Sequence, residues 1–195
     1  MNIFIVEFQK KKETLKYSRV LLKYLLSNFY KKDSQILEDN GKPYIDDKLH
    51  FSISQSQNIL VIAFDEYPIG IDIEYSLKDR KYNDLLKQMG CEATRDISKE
   101  EFYKIWTIYE ADFKSSIHQE NICFKYKDYI CSLSSRTKSI PAIYEVKIPK
   151  NKIIESELIN LKLTNDNAQK ENSVVIQEIV IASSELLSLP TLKIE

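Results

Sequence analysis

The segment Phe102–Lys114 constrains this chain more than any other, because it carries an unbroken helical period and sets charged groups at fixed angles upon it. Ser98 followed by Glu101 has the spacing of a capping box, which predicts a helix starting near Lys99. At about 100° per residue, Phe102, Ile105, Trp106, Tyr109 and Phe113 fall on one apolar stripe. That stripe is the predicted buried face, with the Tyr109 ring packed inward. Glu110 and Lys114 lie side by side on its flank, and the ordinary reading of such a pair is a surface ion pair worth a few tenths of a kcal/mol.

A second acidic cluster gives the helix pair another possible meaning. Gly70-Ile-Asp-Ile-Glu74 alternates apolar and acidic residues, so on a strand Asp72 and Glu74 project to one face while Ile69, Ile71 and Ile73 project to the other. Such a pattern alone describes a half-exposed strand. Asp72, Glu74 and Glu110 together would offer three hard oxygen donors to Mg²⁺, with waters and a phosphate completing the octahedron.

Four segments in order now bear on identity: Gly41-Lys-Pro43, Phe51-Ser-Ile-Ser-Gln-Ser56, Ile69-Gly-Ile-Asp-Ile-Glu74 and Trp106-Thr-Ile-Tyr-Glu-Ala-Asp-Phe-Lys114. Their order and spacing resemble the Sfp-type 4'-phosphopantetheinyl transferases, whose pattern runs GKP, F-N-x-S-H-S, G-x-D-x-E and W-x-x-K-E-A/S-x-x-x-K. The resemblance implies an α+β fold of two similar α/β halves packed face to face, with coenzyme A in the cleft. It divides the chain near Pro68-Ile69, into an N-terminal half (1–68) contacting coenzyme A and a C-terminal half (69–195) with the acidic metal site and central helix. It further implies Mg²⁺ on Asp72, Glu74 and Glu110, catalytic roles for Glu110 and Lys114, and coenzyme A contacts from Lys42, Ser54 and Gln55. Arg19 and Lys12 are expected to join them, since related enzymes recruit basic residues from that region. The partners implied are coenzyme A and an acyl or peptidyl carrier protein, with the protein acting as a monomer.

The chain departs from the family pattern at three places. Gln55 stands where the family most often has His, and Tyr109 where it has Lys. After Lys114, where glycines are common, the chain reads Ser115-Ser-Ile-His-Gln-Glu-Asn121. Gln donates a hydrogen bond without charge, and Tyr is an apolar ring with a polar tip, so two phosphate-facing cations are missing. These losses motivate an alternative, a divergent, catalytically weak or inactive member that binds coenzyme A or a carrier protein.

Charge and cysteine content exclude other classes. With 28 Lys and Arg against 29 Asp and Glu, no global basic field points to nucleic acid or an anionic membrane. Cys91, Cys123 and Cys131 are odd in number and lack CxxC spacing, which argues against a disulfide framework or a zinc site. His118 has no second ligand at metal spacing and reads as solvated. Only 3 Gly in the chain rule against a Gly-rich phosphate loop. The N-terminal apolar run is too short for a signal peptide, so a cytoplasmic, membrane-free protein is expected.

Around these motifs, Ile3 to Phe8 reads as a strand and Glu13 to Tyr30 as a helix with Leu15, Leu22, Leu25, Leu26 and Phe29 inward. Lys12, Lys16, Arg19 and Lys23 share one flank within about 60°, either a solvated basic face or, by the resemblance, a ridge for the 3'-phosphate of coenzyme A. Asp39 to Pro43 reads as a turn presenting Lys42. His50 to Ser54 and Asn58 to Phe64 read as strands joined across Gln55-Ser-Gln57, with Ser52, Ser54 and Ser56 in a hydroxyl row. Lys78 to Met89 is a predicted helix ended at Gly90. Ile122 to Tyr126, Tyr129 to Leu133, Ile143 to Ile148, Ile153 to Leu163 and Val174 to Ala182 carry strand alternation, with a loop over Asn165 to Asn172.

Overall fold

Alternating apolar runs pair into sheets wherever a polar turn lets them fold back. In the computed structural model, residues 1–8, 11–32, 35–39, 42–45, 48–80, 82–90, 97–116, 120–137, 139–146 and 179–181 are described, with the side chains at 11–16, 42, 83, 88, 120 and 179–181 outside the description. The elements are β1 (Asn2–Glu7), α1 (Lys11–Tyr24) continuing into a π-helical stretch (Leu25–Phe29), β2 (Ile36–Asp39), β3 (Lys42–Ile45), β4 (His50–Ser56), β5 (Ile59–Asp65), β6 (Ile69–Tyr75), α2 (Tyr82–Gln88), α3 (Lys99–Ser115), β7 (Glu120–Tyr126), β8 (Tyr129–Ser135), β9 (Ala142–Val146) and β10 (Ile179–Ile181). This is the mixed α+β content expected.

The strands form three sheets: β10-β9-β1-β5-β4, β6-β8-β7, and the hairpin β2-β3. The first two share a plan. In each, a strand leads through helical structure, and in the first also through the β2-β3 hairpin, to a hairpin whose second strand pairs antiparallel with the first, giving the orders β1-β5-β4 and β6-β8-β7. Each hairpin closes over two residues, the first in the left-handed region, Gln57 at φ 52° and Lys127 at φ 53°. A positive φ there matches the turn to the right-handed twist of its strands. The repeat is absent from the letters yet present in the topology. Beyond Pro68, β9 returns to run parallel with β1, so the C-terminal part of the chain also completes the N-terminal sheet.

Alternation assigns the faces. Ile3, Ile5, Ile59 and Val61 meet Ile69, Ile71, Ile73, Phe124 and Leu133 in a core shared by the two sheets. On the outer face of the first sheet, Phe4, Leu60, Ile62 and Phe64 pack against Tyr17, Leu21, Leu22, Leu25 and Leu26 of the helical arm. On the outer face of the second, α3 and α2 close a smaller cluster of Leu86, Phe102, Tyr103, Cys123 and Ile130. The layers are therefore helix, sheet, sheet, helix.

Several expectations are adjusted by these elements. The first helix begins at Lys11 and widens after Tyr24, where the Tyr30 amide bonds to the Leu25 carbonyl at 3.1 Å. The extra residue in that turn carries Phe29 to the rings of Phe4 and Tyr144, though it stays 37% exposed. Lys42 and Pro43 belong to β3 rather than a turn, with Lys42 paired to Asp39. β4 runs on through Ser56, so the bend sits at Gln57-Asn58. α2 starts only at Tyr82, and the chain turns at Gly90 with φ 75°. Of Val174 to Ala182 only β10 is described. The expected strand over Ile153 to Leu163, the loop over Asn165 to Asn172, Cys91, His118, and the side chains of Lys12, Leu15, Lys16 and Lys42 lie outside the described residues. Cys123 and Cys131 are free and buried, and burial pushes both thiols up. No described helix is long and apolar enough to cross a membrane.

Candidate functional site

The site is built where α3 crosses β6, and a glycine makes the crossing close. A Cβ on Gly70 would stand 1.9 Å from the Ala111 carbonyl oxygen and 2.7 Å from the Ser115 amide nitrogen, so only glycine lets helix backbone and strand backbone meet there. The helix complies by presenting small and hydroxyl residues to the sheet. Thr107 Oγ1 lies 2.7 Å from Ser132 Oγ, and Ser134 Oγ donates to Asp112 Oδ1 at 2.6 Å.

The buried stripe expected for α3 holds in its first part, with Phe102 buried and Ile105 and Trp106 packed against the same cluster, and fails in its second. The inward residues are Phe102, Tyr103, Thr107, Ile108, Ala111 and Ser115, while Tyr109 is 43% exposed and Phe113 64% exposed. Near the Gly70 crossing hydrophobicity pointed to the wrong side, because close approach there rewards short side chains over large ones. The start of the helix is as expected, with the Glu101 amide donating to Ser98 Oγ at 3.2 Å. At its end Ser116 takes φ 59°, the left-handed conformation that suits the glycines common in the resembled pattern.

Asp72 and Glu74 share the α3-facing side of β6, as the alternation required. Asp72 is 6% exposed, and burial raises its carboxyl above the ordinary range against the pull of Lys114 and Ser54. Lys114 Nζ donates to Asp72 Oδ1 at 2.7 Å and to the Ile71 carbonyl at 3.2 Å. The cation therefore bridges to the strand carboxylate, and the surface pair with Glu110 is replaced by a cross-element one. Glu74 accepts from Arg80 Nη2 at 2.6 Å. Asp72 Oδ2 is buried without a hydrogen-bond partner among the described residues, an open hard-oxygen donor. Glu110 is half-buried one turn before Lys114. No three His, Cys, Asp or Glu side chains among the described residues stand as a metal-holding group. By donor chemistry, the two carboxylates on one strand face and the unsatisfied Asp72 oxygen would suit a divalent cation completed by waters and a phosphate, while among the described residues no hydrogen bond or ion pair brings Glu110 to them.

The serine row of β4 turns out to be a seam. The amides of Ile71, Ile73 and Tyr75 donate to the hydroxyls of Ser52, Ser54 and Ser56 at 3.1, 3.4 and 3.0 Å. Ser54 and Ser56 then donate to Asp72 Oδ1 and Glu74 Oε2, at 2.7 and 3.0 Å. Side chains thus do what a backbone ladder would do, and they orient both carboxylates. Alternation revealed the row; its partner strand was visible only in three dimensions. Gln55 projects to the opposite face, half-buried, with Oε1 unpartnered among the described residues. Arg19 pairs with Glu38 on the surface, and Lys23 is exposed.

Sequence reasoning missed Arg80, which follows β6 in no recognisable motif. Its guanidinium lies 5.8 Å from the centre of the Trp106 ring and 5.9 Å from that of Tyr103. A cavity of about 580 Å³ opens elsewhere, at the far end of the β4–β5 hairpin among Tyr30, Lys48, His50, Phe64 and Tyr67. Asp72, Glu74, Arg80, Glu110 and Lys114 do not line it.

No protein-family model matches the chain. Among curated proteins it is similar to 4'-phosphopantetheinyl transferase Sfp of Bacillus subtilis (strain 168), 34% identical over 112 residues, or 49% of this chain and 48% of that protein. It is also similar to 4'-phosphopantetheinyl transferase gsp of Aneurinibacillus migulanus, 31% identical over 107 residues, or 49% of this chain and 44% of that protein. The chain spans about half the length of the curated relatives it matches. Over that half, the likeness is to a divergent Sfp-type sequence.

Proposed function

We propose that this protein transfers the 4'-phosphopantetheinyl group of coenzyme A to a serine hydroxyl on an acyl or peptidyl carrier protein. The observation that carries the reading is the meeting of Asp72 and Lys114 at 2.7 Å beside the Gly70 crossing, with Glu74 on the same face of the strand. These residues occupy the acidic and helical positions of the resembled motif, and the named relatives are transferases of this group.

In the transfer, the carrier serine oxygen bonds to the phosphorus attached to pantetheine, and the bond from that phosphorus to the bridging oxygen breaks, releasing adenosine 3',5'-bisphosphate. Glu110 takes the serine proton, directly or through water, from its place on the helix edge. Lys114 stabilises the charge growing on the leaving phosphate, and Ser54 and Ser56 hold Asp72 and Glu74 in position. Magnesium, held by Asp72, Glu74 and Glu110, would supply neutralisation of the diphosphate when bound. Lys42, Gln55 and the α1 cations Lys12 and Arg19 remain proposed contacts for the coenzyme.

The test is a mass shift on purified carrier proteins incubated with coenzyme A and Mg²⁺. Lys114→Ala is expected to lower turnover at least about 100-fold, the scale of losing one preorganised charge. Undiminished turnover in that variant would remove Lys114 from the mechanism. The second reading, a binding protein without transfer, draws on Tyr109 facing solvent where a lysine is expected. It would be favoured by coenzyme A binding with no mass shift on any carrier, even with Gln55→His and Tyr109→Lys combined.

A further inference from the structure

Both oxygens of Glu74 are engaged, Oε1 by Arg80 Nη2 at 2.6 Å and Oε2 by Ser56 Oγ at 3.0 Å. A divalent cation on Glu74 must therefore compete with the guanidinium. Arg80 suits a shared role: its side chain is 21% exposed, it leans on Trp106 and Tyr103, and its Nε is buried without a partner among the described residues. Its planar fork fits a carboxylate and a phosphate equally well. Tyr109, at the position where the resemblance expects a lysine, leans on the same Trp106 ring with centroids 6.5 Å apart. The missing cation and Arg80 thus border one ring from different segments of the chain.

We propose that Arg80 is a handover residue: it neutralises Glu74 in the metal-free protein and, when Glu74 is claimed by a divalent cation, gives its donors to the phosphates of coenzyme A. The charge absent at Tyr109 is then supplied from the loop after β6. This rests on the reading of the site given above.

Calorimetry on the full chain tests it, with MgCl₂ alone and with coenzyme A in the presence of Mg²⁺, for wild type, Arg80→Ala and Arg80→Lys. Arg80→Ala should bind Mg²⁺ alone severalfold more tightly, because a competitor is gone, and bind coenzyme A about tenfold or more weakly, the scale of one charge-assisted contact. Arg80→Lys keeps the charge without the fork, so Mg²⁺ affinity should stay near wild type while coenzyme A is weakened. Opposite signs are the signature, since a merely structural arginine would lower both affinities together. Parallel losses in both variants, or no change in either, would overturn the proposal while leaving the transferase reading intact. Wild-type protein that binds neither ligand would overturn that reading, and the handover with it.

Discussion

The two helix-on-sheet units follow one topological plan and are held together by different physics. Between α1 and its sheet lie large side chains: Phe4 sits against Phe29, Phe64 and Tyr144, with ring centroids 5.0, 5.8 and 5.0 Å apart. Between α3 and its sheet lie Gly70, Ala111, Thr107, Ser132, Ser115 and Ser134, and the backbones nearly touch. The first interface fills space, and its stability comes from apolar area and ring contacts. The second removes space, and its stability comes from short hydrogen bonds. The difference teaches where chemistry can be placed. Among the described residues, it is the close interface that brings a helix lysine onto a strand carboxylate, and the serines of β4 reach the same carboxylates from the neighbouring strand.

The largest expected effect breaks the aromatic side of this comparison. Phe4→Ala should cost about 3 to 5 kcal/mol in urea unfolding, because three rings lose their common neighbour and leave a cavity. A cost below about 1 kcal/mol would mean that the rings do not carry the N-terminal unit. On the other side, Gly70→Ala fails by crowding. It should cost about 1 to 3 kcal/mol, towards the upper end because the new methyl meets backbone. It should also lower coenzyme A turnover by moving Lys114 from Asp72. Full stability and turnover would show that α3 can slide.

A pH series sharpens the polar side. Burial raises the Asp72 carboxyl above its ordinary value of 3.8, so the folded chain holds that proton more tightly than the unfolded chain. The group's contribution to stability is greatest below that ordinary value and is lost as pH rises from it through the folded value, with a slope of at most about 1.4 kcal/mol per pH unit. Asp72→Asn removes this decline, so thermal melts should show the variant gaining on wild type as pH rises through that window. A difference that moves the opposite way would mean that Lys114 outweighs burial. The smallest effect compares the hairpins. Gln57→Gly should stabilise by about 0.5 to 1 kcal/mol by relieving a positive φ. Lys127→Gly should gain less, since it also forfeits the surface pair with Glu7. Equal gains in chemical denaturation would assign that pair no value.

What was legible in the sequence is what local periodicity controls. Alternation placed Asp72 and Glu74 on one face of β6 and the serines on one face of β4, since a strand's faces follow from its pleat alone. The Ser98 cap placed the start of α3, because capping needs only neighbours in the chain. The letters supplied the buried face of α3 at Phe102, Ile105 and Trp106 but not beyond: an apolar stripe names the side that water rejects, whereas a glycine on another element decides how near a helix may come. Tyr109 and Phe113 were therefore read inward and stand outward. Nor could they supply the partners of the charges. Asp72 and Lys114 are separated by 42 residues and Ser56 and Glu74 by 18, and Arg80 belongs to no periodic pattern. Sequence fixes which groups share a face, but an ion pair's energy falls within a few ångströms, so which charges meet is settled only when the strands and helices have packed.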